Sequence, residues 1–132
     1  MAHEDDPFSG LPGLTVAGMK KVVFHGRRDD ITVETYRSIF RDHLPLTEIH
    51  MAHARRYWQR EVEATRGPSV LPADGVSEFQ AANWDEITNL YDNPESAAIV
   101  GADSARFIDR STACTLFGIT HVRLSDRQRR YS

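Results

Sequence analysis

The sequence predicts an α+β domain of β-α-β-β-α-β order, and three observations carry that prediction. Four segments rich in β-branched and aromatic residues are interleaved with two segments of helical apolar spacing. The two middle strand-like segments are joined by a Pro- and Gly-containing loop with no helix between them, as expected of an antiparallel pair. The apolar runs Val22-Val23-Phe24 and Leu116-Phe117 do not alternate, so both faces of the sheet are expected to be covered. This order is the split βαβ, ferredoxin-like pattern: a four-stranded antiparallel sheet with both helices on one face.

The elements follow in turn. Residues 1–18 hold Pro7, Gly10, Pro12, Gly13 and Gly18 among acidic residues and read as an irregular arm, with Phe8, Leu11 and Leu14 able to dock it. Lys20–Gly26 is the first strand, and Arg27–Ile31 a polar turn. Thr32 is a good N-cap, and Val33, Tyr36, Phe40, His43 and Leu44 fall on one face of the helix that it opens. Pro45 should end or kink that helix near residues 42–44, with a second helical stretch through Leu46, Ile49, His50 and His53. Arg56–Ala64 is the second strand, with helix as its rival. Arg66–Gly75 is a loop, and Val76–Trp84 the third strand. A short helix capped by Asp85 runs to Tyr91. Pro94 suits the first turn of another helix, running from about Glu95 to Asp109. Cys114–Leu124 is the fourth strand, and residues 125–132 form a basic tail. The domain proper is thus 19–124.

Composition narrows the function classes. The chain has 132 residues, the size of one domain, and a net charge of −3, which argues against a nucleic-acid partner. No window approaches the ~18 apolar residues of a membrane span, and the acidic start Met-Ala-His-Glu-Asp-Asp is unlike a secretory leader. The single cysteine, Cys114, reads as a small buried hydrophobe, and a cytoplasmic location is expected. Neither Gly67-Pro68 nor Gly101-Ala102 fits a phosphate-binding loop, and no Ser-His-Asp elbow is present. An uncovered sheet face on so small a domain is expected to meet a second copy, giving a homodimer through the open face.

What remains for chemistry is histidine. Imidazole has a reference pKa of ~6.5 and is suited to proton transfer near neutrality. His43 shares the apolar helix face with Tyr36 and Phe40 and should point at the sheet. His25 is in phase with Val23 and out of phase with Val22 and Phe24, so it faces either the helices beside His43 or the dimer interface. His121 on the fourth strand carries the same ambiguity. His50 and His53, three apart, would share a helix face and either line a pocket mouth or be plain surface histidines. As half of a metal site they lack a third ligand at suitable spacing, and no metal is expected. Of the aromatic residues on or beside strands (Tyr57, Trp58, Phe79, Trp84 and Phe117) most are expected in the core, and one or two, Trp58 and Phe79 first, could stack on a flat substrate; Tyr36 and Phe40 could line its pocket.

Lys20-Lys21-Val22-Val23-Phe24, then Thr32-x-x-x-Tyr36-x-x-x-Phe40-Arg41-Asp42-His43, resembles the opening of EthD-type proteins of the dimeric α+β barrel superfamily. Phe79, Trp84, Asn93-Pro94-Glu95 and Asp103-x-x-x-Phe107-Ile108-Asp109 resemble the second half of that family. The resemblance covers roughly Met19–Leu124. It implies a ferredoxin-like homodimer with a pocket between sheet and helices, no cofactor, and a pocket histidine as acid–base at the position of His43. Members often carry a second histidine directly afterwards, where this chain has Leu44. The implied chemistry is that of a lyase, cyclase or isomerase acting on a small aromatic, polyketide-derived or lactone substrate. A non-catalytic dimeric accessory or binding protein and a cofactor-independent monooxygenase are the alternatives.

Overall fold

The structure, a computed structural model, describes residues 15–67, 73–91 and 93–122. The chain runs β1 (Thr15–Arg27), α1 (Val33–His50), β2 (Arg56–Glu61), β3 (Gly75–Ala81), α2 (Trp84–Thr88), α3 (Pro94–Ser104) and β4 (Ile108–Val122). The four strands form one antiparallel-paired sheet in the order β2-β3-β1-β4, the ferredoxin-like arrangement. No helix among the described residues is long and apolar enough to cross a membrane.

Several boundaries differ from expectation. β1 begins at Thr15 rather than Lys20, so the last residues of the expected arm are strand. A register shift lies between Val16 and Gly18, and Gly18 has φ +115 there, with no room for a Cβ against the Ala81 carbonyl. The rest of the arm and the tail 125–132 lie outside the described residues. α1 is continuous from Val33 to His50 and includes Pro45. Pro45 is exposed, and one missing backbone donor on the wet side does not outweigh the packing of Tyr36, Phe40, His43 and Thr47 on the buried side. His53 therefore lies beyond the helix rather than on a face shared with His50. β2 and β3 are shorter than expected. α2 is capped by the Asn83 side chain rather than by Asp85. α3 ends at Ser104 instead of near Asp109, because Phe107 is drawn wholly into the core and Ile108 pairs with Arg27 as the first rung of β4.

Strand alternation separates two faces of the sheet. Met19, Lys21, Val23 and His25 of β1 and Ser77, Phe79 and Ala81 of β3 face the helices. Lys20, Val22 and Phe24 face the other way, with Glu78, Trp58 and Leu116. Two apolar clusters fill the helix side. Phe79, Ala81, Ile87 and Leu90 form one. Tyr36, Phe40 and Phe107 form the other, with ring centroids 5.6–5.8 Å apart.

Candidate functional site

His43, on the third turn of α1, reaches α3. Its Nδ1 lies 2.7 Å from Oδ2 of Asp103, and its Nε2 lies 3.4 Å from the Ser104 hydroxyl. Asp103 also accepts from Arg106 at 2.7 Å. Burial alone would raise the Asp103 carboxyl. The hydrogen bonds from His43 and Arg106, with their charges, outweigh it and hold the group below the usual carboxylate range. A carboxylate on Nδ1 selects the tautomer with the proton on that nitrogen and leaves Nε2 to accept one. Only 5% of His43 is exposed, and its ring meets Phe107 edge-on at 5.2 Å.

His25 lies across the same space. Of its two possible phases the structure takes the helix-facing one. It is buried at 1% exposure, with Tyr36 Oη 2.8 Å from Nδ1 and Ser77 Oγ 3.2 Å from Nε2. Burial, helped by the charge of His43 and opposed by Asp74, pushes its pKa down to about 4. His25 is therefore neutral at physiological pH. Burial also raises the Tyr36 phenol, which stays protonated beside it.

His25 and His43 both line a cavity of about 120 Å³ between sheet and helices, with Lys21, Val23, Tyr57, Ser77, Phe79, Tyr91, Ser104 and Ile108. Tyr57 stacks on Phe79 at 4.8 Å between centroids, and both rings contribute to the cavity lining. Outside lies a cleft of about 470 Å³ whose lining includes Lys21, His53, Leu90, Tyr91, Asn93 and Pro94. Lys21 and Tyr91 are common to both spaces.

The expected site residues divide accordingly. His43, His25 and Phe79 meet at the inner cavity, and His53 lines the outer cleft. Tyr36 and Phe40 are fully packed core side chains that support His25 from behind, rather than pocket lining. His50 lines neither space, and its Nδ1 is 2.9 Å from the Ser96 hydroxyl. Trp58 faces away from the cavity, because alternation along β2 turns Tyr57 and Gln59 inward and puts Trp58 beside Lys20 and Arg56. The side chain of His121 lies outside the described residues. Tyr57, one of the expected stacking aromatics, lines the inner cavity; Asp103, Ser104, Lys21, Ser77 and Tyr91 are additions. Lys21 shares the phase of Val23 and His25, so the orientation of His25 was the signal that also places it. Asp103 is brought to His43 by helix packing, for which no spacing rule exists. Among the described residues no group of three His, Cys, Asp or Glu is placed to hold a metal ion.

The EthD domain family matches residues 28–111. An ethyl tert-butyl ether D family protein from Bacillus halodurans superposes with a TM-score of 0.57 at 16% identity, over 76% of this chain and 95% of its own. A protein from Thermobifida fusca, described as dimeric and ferredoxin-like, gives a TM-score of 0.58 at 10% identity, covering 80% and 95%. Another from Bacteroides fragilis, also described as dimeric with a ferredoxin-like fold, gives 0.51 at 16% identity, covering 85% and 97%. No curated protein matches the sequence.

Proposed function

We propose, from the premise that this chain belongs to the EthD family, that it is a lyase, cyclase or isomerase working by histidine acid–base chemistry on a small aromatic, polyketide-derived or lactone substrate. The observation that supports this most is the His43–Asp103 pair at 2.7 Å on the wall of a cavity that His25 also lines. His43 is the general base. Its Nε2 takes a proton from an acidic C–H or a phenol of the substrate, and the electron pair of the broken bond passes into an enolate or phenolate. Asp103 faces the positive charge that develops on the ring and holds the ring in place. Returning the proton to another atom completes an isomerisation; giving it to a departing oxygen completes an elimination. These steps need only proton transfer, which the cavity's own side chains can supply. Neutral His25, held on its two nitrogens by Tyr36 and Ser77, lines the cavity opposite His43 without adding a competing charge. The active unit is a homodimer formed through the open sheet face.

The test is turnover of a panel of β,γ-unsaturated lactones and phenolic β-keto acids, followed by NMR in D₂O. His43→Ala should lower the rate by ~10²–10⁴ while the circular dichroism spectrum is unchanged. An unchanged rate would overturn the assignment. Oxygen uptake during turnover would point instead to a monooxygenase. One observation favours a second reading, a non-catalytic binding protein: at about 120 Å³ the inner cavity is below the ~300–1,000 Å³ of ordinary ligand pockets. In the catalytic reading the outer cleft of about 470 Å³ accommodates most of the substrate, with only its reacting end beside His43.

A further inference from the structure

We propose that Lys21 is an anion anchor at the junction of the outer cleft and the inner cavity, and that the ligand carries a carboxylate, phenolate or enolate oxygen on a planar ring or conjugated chain. The inference rests on the same site as the proposed function, but on a residue that the proton-transfer scheme does not use.

Adjacent lysines make the case by contrast. Strand alternation sends Lys20 to the open face, where its Nζ is 3.6 Å from Glu78. Lys21 points the other way, into the space between sheet and helices. Among the described residues no carboxylate lies within ion-pair distance of it; its contact is the face of Phe79, with Nζ 5.6 Å from the ring centroid. Burial pushes its ammonium below the ordinary lysine value. A cation removed from water without a counter-charge is costly, and a bound anion would supply the charge that the described residues do not. The position suits that role. Lys21 and Tyr91 line both the cleft and the cavity, so a ligand that occupied both would lie beside them. A planar group there would have the aromatic side chains of Tyr57, Phe79 and Tyr91 as neighbours. An oxygen anion held by Lys21 is also what proton abstraction by His43 would create if the substrate were a ketone, so the anchor would bind the reacting form more tightly than the neutral one.

The probe is benzoate, with benzamide as its neutral isostere, titrated into ¹⁵N-labelled protein. Benzoate should shift the amide signals of Lys21 and Tyr91. Lys21→Met should weaken benzoate about 10- to 100-fold and leave benzamide within a factor of about two. Lys21→Arg, which keeps the charge, should retain most of the benzoate affinity and guards against a variant that fails for want of folding. Equal loss of both ligands would assign Lys21 a packing role and overturn the anchor. So would wild-type affinity in Lys21→Met, or no binding of benzoate to the wild-type protein. His43→Ala should leave benzoate binding within about threefold while lowering turnover by ~10²–10⁴. The anchor and the acid–base assignment can therefore fail separately.

Discussion

His25 shows how far one side chain can be taken from its solution behaviour. Its ring is enclosed by Phe40 at 5.0 Å and by Phe107 at 6.2 Å between centroids, with Tyr36 and Ser77 on its two nitrogens. Folding lowers its pKa from 6.5 to about 4. In that window the unfolded chain binds a proton that the folded chain refuses. The resulting stability is whole above pH 6.5 and is lost as pH falls toward 4, amounting to about 3 kcal/mol. Urea unfolding between pH 7.5 and 4 should therefore show a falling free energy. His25→Gln should remove most of the slope between pH 6.5 and 4 while lowering stability at pH 7.5. A variant with the parent's slope would mean that other groups govern the acid limb. The sequence narrowed His25 to two orientations; the choice lay in which face of β1 the helices cover.

At the scale of elements, the site depends on close passage of β3 beneath α1. Gly75 opens β3 opposite His25. A Cβ built there would collide with the Tyr36 hydroxyl and come within 3.0 Å of both His25 Cε1 and Phe40 Cε2. Gly75→Ala should cost ~1–3 kcal/mol by overpacking, read as a lower urea midpoint at unchanged m-value. An unaffected midpoint would show that the helix yields without loss. Two of the three helix starts were well marked: Thr32 caps α1 and Pro94 opens α3, whereas Asn83 caps α2 in place of Asp85. The ends were less so. Pro45 did not stop α1, and α3 stopped early because Phe107 had a core position to fill, which only the assembled layers reveal.

At the scale of the whole molecule, the open face of the sheet is the feature to be explained. Leu116 is 53% exposed there and lies opposite Val22 across the β1–β4 ladder, with Cys114 opposite Phe24 in the same phase. Trp58 lies on that face too, with Lys20 above its ring. Apolar side chains in a row on one face mark a surface that another surface covers. A second copy is the proposed occupant, in keeping with the relatives described as dimeric. Light scattering should give twice the 15.0 kDa of one chain. Leu116→Asp should move the protein to monomer at micromolar concentration, and monomeric wild-type protein would refute the dimer.

The sequence by itself determined the element order, the buried face of α1 and the family. These follow from local causes: apolar period, capping side chains and turn residues, each legible within a few neighbours. It also marked His43, because a histidine in the apolar stripe of an amphipathic helix must point inward. The tertiary structure alone decided which phase of β1 faces the helices. With that one choice His25 and Lys21 entered the cavity, while Lys20 stayed outside. It alone brought Asp103 to His43 across 60 residues of chain. The reason is that a strand offers two equivalent phases and a helix pair many rotations. The selection is made by the packing of Tyr36, Phe40 and Phe107 against the sheet, a property of all the layers together.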